Sequence, residues 1–171
     1  MKEIHVKNAQ IEDAEEILAI YRPYVLNTAI SFEIDVPSVE EMAQRIINYS
    51  SNYPFLVATM DKKIVGYAYS APFSPRRAYE YSSEMSLYID ESAQGLGVGS
   101  HLYQKMEEEL KARGIVQLIS CITASNTNSL FFFEKRGFTK AGQIPNIGYK
   151  FDQWHDVVWM MKTINPARLD N

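Results

Sequence analysis

"ESAQGLGVGSHLYQKMEEEL", residues 91–110, sets three glycines on alternate positions, Gly95, Gly97 and Gly99, just ahead of a patterned stretch. Leu102, Met106 and Leu110 recur at i, i+4 and i+8, the spacing of one buried helical face, and predict a helix opening near the last glycine. A helix N-terminus carries N–H groups without partners and the positive end of the peptide dipole. Glycines ahead of it let the backbone approach an anion with no Cβ in the way. The stretch reads as a phosphate loop made of amides, or as a glycine-rich turn without a ligand. The formal net charge of −4 means that any anion must be held by such local devices, because no global positive field exists to attract it.

Two phosphate loops do not fit. A nucleotide-hydrolase loop needs Lys after its last glycine, and Ser100 and His101 follow Gly99 instead. A dinucleotide fingerprint would put its third glycine at Ser100 and an acid near Ile115 and Val116.

Working outward, the chain of 171 residues is long enough for one domain, 1–171, with its own core, and too short for two comfortable ones. No apolar run reaches the roughly 20 residues of a membrane span. The polar, acidic start "MKEIHVKNAQIEDAEE" predicts neither a signal nor a transit peptide. A single cysteine, Cys121, excludes an internal disulfide, and a cytoplasmic location is expected. Neither nucleic acid nor a membrane surface is expected as a partner.

"EIHVKNA" reads as a strand, and "IEDAEEILAIYRPYVL" as a helix with Ile11, Ala14, Ile17, Leu18 and Tyr21 on one face. Ser38 and Glu41 form a capping box for a second helix. "FLVATMDKKIVGYAYSAPF" is a hairpin turning at Asp61–Lys63, and "RRAYEYSSEMSLYID" a longer strand. After the glycine helix come a buried strand, "GIVQLISCI", a short helix closed by Gly137, and "YKFDQWHDVVWMMK", which completes the sheet. The order β-α-α-β-β-β-α-β-α-β-β predicts an α/β (α+β) domain with one mixed sheet and helices on both faces.

Gln94, Gly97 and Gly99 also spell Q-x-x-G-x-G after a strand and before a helix, and this resembles the coenzyme A loop of the GNAT acyltransferase superfamily. "SNTNSLFFFEKRGF" is similar to that family's later segment, with Asn126, Ser129, Glu134, Gly137 and Phe138 in register. "TAISFEI", "EMSLYID" and "QIPNIGYKFDQWHDVVWM" resemble the phosphinothricin and methionine sulfoximine N-acetyltransferase branch. The resemblance spans essentially the whole chain. It implies a mostly antiparallel sheet, splayed between the strand ending near Ile89 and the one starting near Ile115. It further implies acetyl-CoA as co-substrate without a metal, a small-molecule amine as partner, and a homodimer.

Residue by residue, the resemblance implies that the backbone of Leu87, Tyr88 and Ile89 pairs with the pantetheine arm. Gln94, Gly95, Leu96, Gly97, Val98, Gly99 and Ser100 would wrap the pyrophosphate. Asn126 and Ser129 would reach the pantetheine, although Asn126 also suits a helix N-cap. Attack by an amine on a thioester needs a base, because amines are mostly protonated at neutral pH. Glu84 matches the glutamate proposed for that role; alternation places Glu84, Ser86 and Tyr88 on one face of the strand. Arg76 matches a branch arginine and suits a substrate oxyanion, while one of Arg76 and Arg77 reads as a solvated charge. Phe32, Glu33, Tyr79 and Tyr81 would line the amine pocket. Where many relatives carry a tyrosine or histidine as acid, this chain has Phe133, so the acid is left unassigned among water, Tyr81, Tyr88 or none.

Cys121, inside "LISCI", reads as an inert core residue, and His155 as structural. His5, His101 and His155 lack ligand spacing, so no metal site is expected. The expected function is direct transfer of an acetyl group to the α-amino group of a small amino acid. A protein or peptide N-acetyltransferase and a CoA-binding sensor without catalysis are the alternatives.

Overall fold

Strand β1 (His5–Asn8) leads through a 3-10 turn at Ile11–Asp13 into helix α1 (Ala14–Asn27) in the computed structural model, which describes residues 3–170. There follow α2 (Val39–Ser50), β2 (Phe55–Met60), β3 (Lys63–Pro72), β4 (Ser82–Ile89), α3 (Val98–Ala112), β5 (Gln117–Thr123), α4 (Thr127–Glu134), β6 (Thr139–Lys150) and β7 (Gln153–Thr163). The order is the one the apolar periodicities predict. The strands pair in the sequence β1-β2-β3-β4-β5-β7-β6. The pairs β1–β2, β2–β3, β5–β7 and β6–β7 are antiparallel, whereas β4 runs parallel to β5. That parallel register runs from Ser82↔Gln117 to Glu84↔Ile119 and ends there.

Local chemistry accounts for the boundaries. Ser38 Oγ accepts from Glu41 N (3.1 Å) and Glu41 returns the bond to Ser38 N (2.7 Å), the reciprocal cap expected of α2. Asp61 and Lys62, both at positive φ, make the two-residue turn of the β2–β3 hairpin. Gly137, at φ 86°, closes α4: its N–H reaches Glu134 O (3.0 Å) and the Phe138 N–H reaches Phe133 O (3.1 Å).

Two expectations are corrected. The strand expected from Arg76 begins only at Ser82, because Arg77–Tyr79 form a 3-10 turn. Ile11 stands outside the buried face of α1, at 51% exposure, since Asp13 accepts from Gln10 N (2.8 Å) and tightens that turn. Ala14, Ile17, Leu18 and Tyr21 are buried as the spacing requires.

One compact unit comprises the residues up to Pro23, Pro37–Ala71 and Ser86–Arg113; the other comprises Tyr24–Val36, Pro72–Met85 and the residues from Gly114 on. The core of the first is rich in β2, β3 and α3 residues: Leu56, Val57, Tyr67, Val98, Leu102, Met106 and Leu110 are at most 1% exposed. The second centres on Met85, Leu118 and Met160, likewise at most 1% exposed. β4 contributes to both units.

Candidate active site

The glycine loop lies in the first unit. Asp90 accepts from Ser92 N (3.0 Å) and holds a 3-10 turn over Glu91–Ala93. Gln94 through Gly97 are exposed, with Gly95 at φ 76° and Gly97 at φ 88°, where a side chain is strained. Gly97 is the N-cap of α3 and brings no side chain to cap it. Its carbonyl accepts from Ser100 N (3.1 Å) and His101 N (3.3 Å), closing the first turn, and His101 Nδ1 lies 2.9 Å from the same oxygen. The amides of Val98 and Gly99 fall in the turn that has no intrahelical acceptor. A Cβ built on Gly95 would meet nothing within 4 Å, so the loop has open space before it. Val98 is 1% exposed and can offer only its backbone, whereas Leu96 is 55% exposed. Amides and open space are a set that fits a pyrophosphate.

Leu87, Tyr88 and Ile89 are half-buried. The Tyr88 ring stacks on Tyr67 (5.3 Å between centroids) and meets Tyr21 edge-on at 5.0 Å, so its side chain belongs to an aromatic cluster.

The second unit holds the candidate base. Glu84 is half-buried, and burial pushes its carboxyl above the usual glutamate range. Cys121 is a correction: it is exposed, not core. Burial of the thiol against its surroundings, together with the Glu84 charge, nevertheless pushes it up to about 11. It is therefore protonated at neutral pH, with burial the larger cause and the Glu84 charge the smaller. Cys121 lies opposite Trp159 on β7, Trp159 meets Phe73 edge-on at 5.5 Å, and Phe73 meets Tyr79 at 5.5 Å. These contacts link the candidate base to the segment that carries Arg76.

Arg76 and Arg77 are exposed, and among the described residues neither has an ion-pair partner. Tyr79 and Tyr81 are exposed as well, but the Arg168 guanidinium lies 4.6 Å over the Tyr81 ring. Phe32 is 38% exposed, and Glu33, half-buried, follows it in the loop after α1. Asn126 caps α4: its Oδ1 accepts from Ser129 N (3.3 Å) while its Nδ2 donates to Ser129 Oγ (2.8 Å). Phe133 is 4% exposed against Phe138 (4.9 Å) and Phe132 (5.2 Å), which makes it a core residue.

The family model described as an acetyltransferase (GNAT) domain matches residues 6–159. The chain belongs to the GNAT acetyltransferase family. This acetyltransferase is 36% identical over 162 residues to a phosphinothricin N-acetyltransferase of Alcaligenes faecalis, covering 94% of this chain and 82% of that one. It is 31% identical to an L-methionine sulfoximine/L-methionine sulfone acetyltransferase of Pseudomonas paraeruginosa, over 95% of this chain and 96% of the relative. Among solved structures, a GNAT phosphinothricin acetyltransferase from Sinorhizobium meliloti in complex with AcCoA superimposes with a TM-score of 0.90 at 31% identity, covering 94% and 88% of the two chains.

Three side chains that contact these candidate segments were not singled out from the sequence. His101 reaches the loop carbonyl of Gly97, Arg168 covers Tyr81, and Lys150 is buried beside the Phe32 loop. Only His101, four residues from its partner on a predicted helix, had a local signal; the others act across the chain.

Proposed function

We propose that the enzyme transfers an acetyl group from acetyl-CoA to the α-amino group of a small amino-acid-like substrate of the phosphinothricin or methionine sulfoximine type. In this reading residues 1–171 act as one acetyltransferase domain. The observation that carries the proposal is Glu84: a half-buried carboxylate with a raised pKa, three residues before Leu87 on the same strand.

Glu84 takes the proton from the substrate ammonium, directly or through water. The amine nitrogen then attacks the thioester carbonyl. The C–N bond forms, the C–S bond breaks, the nitrogen's remaining surplus proton passes to solvent water, and coenzyme A leaves as a thiolate, a tolerable leaving group because thiols ionise near 8.5. Phe133, buried and apolar, takes no part in protonating it, and no general acid is needed. Arg76 pairs with the substrate oxyanion through its guanidinium fork, and the absence of an ion-pair partner for it among the described residues supports that role. Phe32, Glu33, Tyr79 and Tyr81 border the amine. Gln94 through Ser100 hold the pyrophosphate by amides. The backbone of Leu87, Tyr88 and Ile89, with Asn126 and Ser129, holds the pantetheine arm; the cap that joins Asn126 to Ser129 supports a fixed donor there.

Glu84→Gln tests the assignment. A positioned base contributes on the order of 100-fold or more, so kcat should fall by about that factor while acetyl-CoA binding, read by calorimetry, is retained. Unchanged turnover in the variant contradicts the role of Glu84. An inactive wild type that still binds acetyl-CoA makes the protein a sensor.

A further inference from the structure

Lys150, the last residue of β6, is 4% exposed, and the transfer reaction does not use it. Its ammonium donates to the carbonyls of Val25 (2.7 Å) and Ser31 (2.8 Å). Val25 stands in the last turn of α1, where carbonyls lack intrahelical donors. α1 has no basic residue in that turn, and Thr28 Oγ1 serves the neighbouring carbonyl of Tyr24 (2.7 Å). A cation here also meets the negative end of the helix dipole. Lys150 thus supplies from 125 positions away what the helix itself lacks. Its second acceptor belongs to the residue immediately before Phe32.

The same loop is held in other ways. A Cβ on Gly148 would overlap Phe32 Cε2, so the ring rests on bare β6 backbone. The His155 ring is 6.0 Å from the Phe32 ring, and its Nε2 lies 3.0 Å from the Lys150 carbonyl. Thr123 Oγ1, from β5, donates to Ala29 O (2.6 Å) in the same loop. Burial lowers the Lys150 pKa, and the Glu33 charge opposes that shift, so the two side chains sense each other.

We propose that Lys150 is a positioning residue for amine selectivity: it ties the end of α1 and Ser31 to the β6–β7 hairpin and thereby fixes where Phe32 and Glu33 stand. It acts through those two side chains without touching the substrate. The inference rests on the reading that Phe32 and Glu33 border the amine pocket.

The test is steady-state kinetics of the full chain with the best amine and with acetyl-CoA. Lys150→Met keeps an unbranched side chain and removes the donors. It should raise the amine KM by about tenfold or more, the scale of a lost charged hydrogen bond, with kcat and the acetyl-CoA KM unchanged. Added to Phe32→Ala, the substitution should cost little further, because both disturb one element. Should Lys150→Met fail to fold, Gly148→Ala displaces Phe32 from its other support and should give the same split. An unmoved amine KM, a parallel rise in both KM values, or additivity with Phe32→Ala overturns the inference alone. Absence of wild-type turnover on every amine overturns the proposed function, and this inference with it.

Discussion

Glu84 connects stability to chemistry at the scale of one residue. Its carboxyl is raised in the folded chain, so folding favours the protonated form. That contribution is fully present below the unfolded pKa, near 4.5, and is lost as pH rises through the folded value. At neutral pH the ionised Glu84 therefore costs stability, and Glu84→Gln should match or exceed the wild type in urea denaturation. The advantage should shrink as acid protonates the wild-type carboxylate; a variant less stable at neutral pH contradicts the assignment of burial as the cause. Activity should follow the opposite limb, with kcat/KM falling in acid at a pH above the ordinary glutamate value of 4.5. Glu84 stands out in the sequence because Glu is rare inside an apolar strand. Its surroundings were not legible: the apolar run "LISCI" concealed that Cys121 is exposed and senses Glu84.

Among the elements, α3 shows how a local signal becomes a site. Three alternate glycines and an i, i+4, i+8 stripe were enough to place the helix, and the left-handed conformation of Gly97 explains the glycine at its cap. Gly97→Ala should lower stability by about 1–2 kcal/mol, the cost of a left-handed residue with a Cβ, and should raise the acetyl-CoA KM. Denaturation and acetyl-CoA titration of the variant check both, and an unchanged KM separates the loop from the cofactor. The start of β4 was misread because aromatic residues from Arg76 to Tyr81 carry strand propensity. What holds Tyr81 is Arg168, supplied from the far end of the chain. β6 was legible only in its last residues: it is the terminal strand of the sheet, nearly all exposed, so no apolar alternation marks its first part. Lys150 in turn reads as an ordinary surface lysine until the fold carries it to carbonyls 125 and 119 positions away.

At the scale of the whole molecule, the proposed function asks a chain of formal charge −4 to recognise two anionic or zwitterionic substrates without a net positive charge. Helix-terminal amides would serve the coenzyme, and the exposed guanidinium of Arg76 would serve the amine. The order of the elements and the family were readable because most local preferences agree with the global fold; the substrate was not, since it depends on side chains brought together by tertiary contact. The direct test is thiol release from acetyl-CoA with L-methionine sulfoximine, L-phosphinothricin, ordinary amino acids, polyamines and short peptides. Saturable turnover is expected with the sulfoximine or phosphinothricin, lost on Arg76→Ala mainly through the amine KM. Turnover confined to peptides or polyamines would contradict an amino-acid pocket built around Arg76.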